Sequence, residues 1–205
     1  MEAADDTTHS TAYYLDPLLK EADLSTHEHS QRVGMLTSQW IRFMKSKQEW
    51  LGFSEQDLVL AAQLHDIGKV GVLNHILNKK GPLTEDEREH LNLHVEIGYD
   101  LVCDLNLATS LAQAVRHHHE RWDGHGFPLG LKRDQIPFFA QVICIVDAFD
   151  AMTSDRPYQG ARSEEDAIQE IQKNAGSQFS PVLVFYFVEF FSDRKYARKS
   201  LSLLA

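Results

Sequence analysis

Hydrophobic residues along this chain recur every three to four positions, the spacing of a helix that buries one face. No stretch alternates with a period of two, so the sequence predicts an all-α, single globular helical bundle of about seven to nine helices, without a sheet. The repeat is clearest over Val33–Phe43, Leu111–His118 and Phe139–Asp150, and capping-box spacing marks helix starts at Ser54, Thr84 and Ser163.

Glycine, proline and polar residues predict where the helices are interrupted. The predicted loops are Gly68 to Asn78, Asn78 to Leu83, Asp123 to Pro137 and Thr153 to Arg162. Residues 1–11 are polar and acidic, and we interpret them as a disordered leader or linker remnant. One domain is expected over residues 12–205, since this length needs only one hydrophobic core.

The charge balance limits the partners of this chain. Its 20 Lys plus Arg against 30 Asp plus Glu give a net charge of −10, which argues against a DNA or RNA partner. A small phosphate ester is not excluded, because bound divalent cations reverse the local charge where carboxylates and imidazoles gather.

Cysteine use and hydropathy predict a cytoplasmic protein without a membrane contact. Cys103 and Cys144 each lie in an apolar helical context, which predicts buried free thiols in a reducing compartment. The N-terminus has no apolar core of a signal peptide. The apolar run Val182–Phe191 has about half of the roughly 20 residues that a spanning helix needs. Two interpretations of that run stay open, a final core helix and a dimer surface.

Several histidines and aspartates lie where apolar side chains are expected. A single histidine on an apolar face is usually a hydrogen-bonded core residue, but five in one small domain are hard to explain that way. Buried aspartates are rare unless they are paired or bind a metal. The histidines are His29, His65, His94, His118 and His119, and the aspartates are Asp66, Asp147 and Asp150.

Imidazole nitrogens and ionised carboxylates together are good ligands for divalent first-row metals. His65 and Asp66 are adjacent, so they can serve one cation while the second carboxylate oxygen reaches another. No cysteine lies near these positions, which argues against a structural zinc site. The pair can therefore seed a two-metal site, and the mixed nitrogen and oxygen ligands favour iron, manganese, nickel or cobalt, with zinc as a further alternative.

The sequence resembles the HD-GYP family of cyclic di-GMP phosphodiesterases, which have the HD-domain type of helical bundle. The resemblance rests on an ordered set of motifs between about residues 25 and 187. They are HSQRV at 29–33, HDIGK at 65–69, ILNK at 76–79, HHHERWDGHGFP at 117–128 and DAFDAMTSDRPY at 147–158.

The resemblance implies roles for individual residues. One metal would be held by His29, His65, Asp66 and Asp147, with Asp66 bridging, and the second by His94, His118 and His119. Lys69 would contact the scissile phosphate and Asp150 would orient Lys69. Arg156 would bind the second phosphate or a guanine. The simpler alternatives are a solvated lysine at a helix end for Lys69 and an ion pair alone for Asp150. For Arg156 the alternative is a surface salt bridge to Asp155 or Glu120.

Three positions depart from the family pattern. Ser25 replaces a glutamate that binds a third metal in some relatives, which favours two metals. Phe127 replaces the tyrosine of the Gly-Tyr-Pro signature, which keeps an aromatic ring but loses a hydroxyl. Gln159 follows Tyr158 where a basic residue is common, which weakens one expected phosphate contact.

The resemblance implies attack by a metal-bridging hydroxide on cyclic di-GMP, giving linear pGpG, with further cleavage to GMP left open. Two other hypotheses stay open: a cyclic di-GMP receptor with little turnover, and a phosphodiesterase for hybrid cyclic GMP-AMP. The resemblance also allows a diguanylate cyclase contact through the Gly126-Phe127-Pro128 loop, and a homodimer.

Overall fold

The structure, a computed structural model, describes residues 17–47, 52–155 and 160–202, with side chains described through residue 194. Residues 17–22 are helical. The further helices are α1 (Leu24–Ser46), α2 (Glu55–Leu64), α3 (Asn74–Leu77), α4 (Glu85–Asn92), α5 (His94–Asp104), α6 (Thr109–His117), α7 (Phe138–Thr153), α8 (Glu164–Lys173) and α9 (Pro181–Ser202). No strand occurs in these ranges, so the predicted all-α class is confirmed.

The helices begin where the capping signals predict. The Ser54 and Ser163 side chains accept hydrogen bonds from the backbone N–H three residues later. Thr84 forms a complete capping box, since its hydroxyl accepts from the Glu87 N–H and the Glu87 carboxylate accepts from the Thr84 N–H. These bonds satisfy donors that a helix start leaves unpaired.

The predicted loop Gly68 to Asn78 is more ordered than its glycines suggest. It contains most of a 3₁₀ turn, Ile67–Gly71, and the short helix α3. The turn packs against α5, and this tertiary contact explains why local propensity alone predicts a loop. The predicted loop Asp123 to Pro137 is irregular apart from the 3₁₀ turn Arg133–Gln135.

Helix α7 lies at the centre of the bundle and packs against α1, α6 and α8. Its residues from Val142 to Val146 are all buried, because the helix is covered on several sides. Helix α9 contributes the Phe187 ring, which meets Trp40 of α1 edge to face with 4.8 Å between ring centroids. The run Val182–Phe191 is therefore a core helix along one face, while Val182 and Phe185 are exposed on the other.

The prediction that both cysteines are buried is wrong for Cys103. Cys144 is buried in α7, but Cys103 is exposed on α5. Its neighbour Val102 is fully buried, and adjacent helical residues point about 100° apart, so Cys103 faces away from the core. Among the described helices, none combines the length and the apolar character that crossing a membrane requires.

Candidate metal centre

Residues that are distant in sequence meet where α1, α2, α5, α6 and α7 come together. Three close ring contacts link this cluster: centroids are 5.3 Å apart for His29 and His65, 5.0 Å for His65 and His118, and 4.0 Å for His118 and His119. The cluster contains all seven predicted ligands and Asp150, which are His29, His65, Asp66, His94, His118, His119, Asp147 and Asp150.

Three imidazoles are held in the orientation that a metal ligand needs. In each, Nδ1 lies close to the carbonyl oxygen three residues earlier: 2.7 Å for His65 and Ala62, 2.7 Å for His94 and Leu91, and 2.8 Å for His118 and Val115. A carbonyl only accepts, so Nδ1 carries the proton and Nε2 carries the lone pair. All three Nε2 atoms are buried without a hydrogen-bond partner. Convergent buried lone pairs of this kind fit a bound cation.

Asp66 lies between two sets of imidazoles. Its Oδ2 is 3.4 Å from Nε2 of His65, while its Oδ1 is 3.4 Å from Nε2 of His94 and 3.9 Å from Nε2 of His118. Two groups with metal-ligand geometry share this carboxylate, each with its ligand atoms within 4.8 Å of one another. One group contains His94, His118 and His119, and the other contains His29 and His65.

The first of these groups contains neutral imidazoles. Burial lowers the pKa of His94, lowers that of His118 well below its usual value, and lowers that of His119 to about 4. Burial alone would raise the pKa of Asp66, but the Lys69 ammonium group, 2.6 Å from its Oδ2, holds it well below its usual range. Neutral imidazoles and an ionised carboxylate are the protonation states that bind a divalent cation.

His29 has a different environment, because two carboxylates face its two ring nitrogens. Its Nε2 is 3.0 Å from Oδ1 of Asp147, and its Nδ1 is 2.7 Å from Oδ2 of Asp150. Burial lowers the pKa of His29, but the hydrogen bonds to both aspartates outweigh it and raise the pKa to about 9. Without metal, this imidazolium is the positive partner of the two carboxylates.

The expected contact between Asp150 and Lys69 is replaced by another arrangement. Asp150 accepts hydrogen bonds from Nε and Nη2 of Arg32, at 2.8 Å and 2.9 Å, besides its contact with His29. The reason is that Arg32 lies one turn after His29 on α1 and presents a fork that suits a carboxylate. Asp150 thus orients a candidate metal ligand rather than the lysine.

Lys69 lies at the edge of the cluster. Its Nζ is 2.6 Å from Oδ2 of Asp66, and its side chain is 24 % exposed. The 3₁₀ turn Ile67–Gly71 places the lysine three residues after Asp66 on the same side. Its ammonium group is therefore both next to the shared carboxylate and open to solvent.

The structure adds Arg32 and Glu120 to the residues that sequence reasoning singled out for the site. The helical spacing of Arg32 from His29 could have indicated a shared partner. Glu120 is 2 % exposed, and its carboxylate accepts from the backbone N–H groups of Leu129 and Leu131 at 2.8 Å and 3.0 Å. No local pattern indicates that role, since the partners are backbone groups of a loop.

Some residues named from the sequence lie outside the part of the chain that the structure describes. Arg156 and Gln159 lie outside the described residues, as does the leader of residues 1–11. Ser25, where some relatives bind a third metal, is exposed near the start of α1.

A scan of family models matches the HD domain over residues 15–183, which is most of the chain. The chain belongs to the HD domain family. The predicted HD-GYP relationship is confirmed by relatives among characterised proteins. A cyclic di-GMP phosphodiesterase of Thermotoga maritima is 38% identical over 180 residues, covering 85% of this chain and 47% of that protein. A 3'3'-cGAMP-specific phosphodiesterase 2 of Vibrio cholerae is 30% identical over 199 residues, covering 96% of this chain and 37% of that protein.

Solved structures agree on the HD fold. The cyclic GMP-AMP specific phosphodiesterase V-cGAP3 of V. cholerae matches with a TM-score of 0.62 and 21% identity, over 93% of this chain and 50% of that one. The PgpH HD domain of L. monocytogenes matches with a TM-score of 0.63 and 14% identity, over 90% of this chain and 98% of that one. The chain spans less than half of the length of the T. maritima cyclic di-GMP phosphodiesterase and of the V. cholerae 3'3'-cGAMP-specific phosphodiesterase 2.

Proposed function

We propose that this HD domain hydrolyses a phosphodiester bond of cyclic di-GMP to give linear pGpG at a centre of two divalent metal ions, iron or manganese. The observation that carries the proposal is the position of Asp66, whose two oxygens face separate sets of imidazole Nε2 atoms. A carboxylate shared in this way can hold two ions side by side, and paired ions stabilise the attacking and leaving oxygens of a phosphodiester.

The proposal divides the ligands between the two ions as the motifs do. His29, His65, Asp66 and Asp147 would hold one ion, and His94, His118 and His119, with Asp66, the other. When bound, such an ion pair supplies an activated water and neutralises charge on the phosphate. The protein keeps the ligands oriented through the Nδ1 hydrogen bonds described above.

Side chains at the edge of the centre would bind the substrate. The Lys69 ammonium group, partly open to solvent beside Asp66, would contact the scissile phosphate and stabilise its developing charge. Arg156 would bind the second phosphate or a guanine, since its guanidinium suits either group. Asp150 would act through His29, which it orients.

A second substrate, 3'3'-cGAMP, is favoured by one observation. The V. cholerae relative specific for that dinucleotide is 30% identical over 96% of this chain, whereas the T. maritima cyclic di-GMP phosphodiesterase is 38% identical over 85%. Both substrates have the same phosphodiester ring and differ in one base. The same metal centre could therefore act on either of them.

Hydrolysis and metal content should be measured on the same preparation. The full chain is purified anaerobically, its iron and manganese are quantified, and products from cyclic di-GMP and 3'3'-cGAMP are separated by chromatography. We expect about two ions per chain and linear product. Tight binding of either dinucleotide without product over hours, at full metal occupancy, would instead identify a receptor.

Asp66→Asn tests the bridging role within the same assay. Loss of a ligand shared by both ions should lower turnover by more than the about 10- to 100-fold that loss of an outer partner costs. The matched control is Asp104→Asn, which neutralises an exposed aspartate at the end of α5. Native turnover in metal-loaded Asp66→Asn would contradict the proposal.

A further inference from the structure

An aromatic ring from the loop after α6 covers one of the candidate metal ligands. The Phe127 ring stacks on the His119 imidazole, with 4.8 Å between centroids and 26° between planes. Offset stacking of this kind fixes the plane of both rings. The aromatic ring at position 127, which the signature motif keeps, therefore packs on the His119 imidazole.

The orientation of the His119 ring depends on ring contacts more than that of His94 or His118, the other imidazoles of the same group. His94 and His118 are each fixed by a hydrogen bond from Nδ1 to a backbone carbonyl. Among the described residues, no hydrogen bond to the His119 ring is found, and the ring packs against those of His94, His118 and Phe127. Ring packing therefore takes the place of the orienting hydrogen bond that His94 and His118 have.

The loop that carries Phe127 is anchored independently of any metal. The Phe127 N–H donates to the carbonyl of His119 itself, at 3.3 Å. The buried Glu120 carboxylate holds the far side of the loop through Leu129 and Leu131. A Cβ at Gly126 would lie 2.5 Å from the His119 carbonyl oxygen, so the loop passes directly against the ligand.

We infer that Phe127 is a positioning residue that orients His119 toward the second metal ion, with Glu120 holding the loop in place. The inference rests on the metal centre of the proposed function. The stacked ring carries this role, and the hydroxyl of a signature tyrosine is not part of the contact. The replacement of tyrosine by Phe127 is then neutral for metal binding.

Metal binding without substrate tests this role separately from turnover. The full chain is titrated with Mn²⁺ and followed by electron paramagnetic resonance, which distinguishes a coupled ion pair from a single ion. Phe127→Leu should lower the affinity for the second ion by about 10- to 100-fold, the usual effect of losing an outer partner that orients a ligand. The first ion should bind as in the native chain, and Phe127→Tyr, which keeps the aromatic ring, should retain the coupled signal.

Phe53→Leu is the matched control, because Phe53 also stacks on a ring, Phe138, with 4.9 Å between centroids. Phe53 lies just before α2 and Phe138 begins α7, whereas His65 and Asp147 lie toward the other ends of these helices. If Phe127→Leu does not fold, Glu120→Gln serves instead, since it keeps the ring and replaces one of two carboxylate acceptors. We expect Glu120→Gln to lower the affinity for the second ion by a smaller factor than Phe127→Leu does.

The outcomes separate the two proposals. A native chain that binds no ion pair would overturn the proposed function. A native chain that binds the pair, with Phe127→Leu or Glu120→Gln binding it at native affinity, would overturn only the positioning role. Equal weakening of both ions in the variant would also overturn it, because that result indicates general destabilisation.

Discussion

At the scale of single residues, histidines in one cluster differ in protonation because their partners differ. The pKa of His119 is lowered to about 4 by burial, whereas that of His29 is raised to about 9 because the bonds to Asp147 and Asp150 outweigh burial. The same side chain is therefore a neutral lone-pair donor at one position and a cation at the other. Sequence spacing alone gives no sign of this difference.

Asp150→Asn should change His29 in a measurable direction. Removing the negative charge beside Nδ1 destabilises the imidazolium, so the pKa of His29 in the metal-free protein should fall below about 9. Histidine resonances followed by NMR against pH measure this shift. Metal affinity should also fall, by about 10- to 100-fold, since the ligand loses its orienting partner. An unchanged pKa would contradict the assignment, and Asp104→Asn is the control.

The two cysteines should react at very different rates. Burial raises the pKa of Cys144 to about 12, which suppresses the reactive thiolate at pH 8, while Cys103 is exposed. A chromogenic disulfide reagent should therefore label one thiol per folded chain quickly and both thiols in denaturant. Cys103→Ser should remove the fast phase. Two fast thiols in the folded protein would show that Cys144 is accessible.

At the scale of elements, the cluster depends on how closely the 3₁₀ turn Ile67–Gly71 approaches α5. A Cβ on Gly68 would lie 1.9 Å from the His94 carbonyl oxygen and 2.5 Å from the Gly98 nitrogen. Only glycine allows this approach, because both neighbours are backbone atoms that cannot rotate away. The contact brings Asp66, which precedes the turn, to His94, the first residue of α5.

Gly68→Ala should therefore separate the turn from α5. We expect a loss of about 1–3 kcal/mol in the free energy of unfolding, typical of an overpacked contact, measured by urea denaturation. The second ion should bind more weakly, because Asp66 and His94 move apart. Gly160→Ala is the control, since a Cβ there meets no atom of the described residues within 4 Å. Equal stability of the two variants would contradict the role of the close approach.

At the scale of the whole molecule, the candidate centre joins segments from most of the chain. Its residues run from His29 on α1 to Asp150 on α7, so a cation that binds them links helices distant in sequence. Ligands that bind only the folded state stabilise it by mass action. Three buried atoms of the centre have no hydrogen-bond partner among the described residues, Nε2 of His65, His94 and His118. A bound cation would give each of them a partner for its lone pair.

Metal loading should therefore raise the melting temperature. At a free metal concentration 100 times the Kd, the gain is about 2.7 kcal/mol, which corresponds to roughly 5–10 °C for a chain of this size. Differential scanning calorimetry of chelated and manganese-loaded protein measures the shift. Asp66→Asn should show a smaller shift than the native chain. Equal melting temperatures with and without metal would argue against binding at the cluster.

The sequence by itself determined the all-α class, the helix starts at Ser54, Thr84 and Ser163, and the set of residues proposed to bind metal. These features depend on spacings of three to four residues, or on motifs that stand out in the printed chain. Tertiary structure decided the partners. Asp150 meets His29 across 121 positions and Arg32 across 118, and Glu120 is buried against backbone N–H groups of a loop. No local pattern records such contacts, because they exist only after the helices have packed.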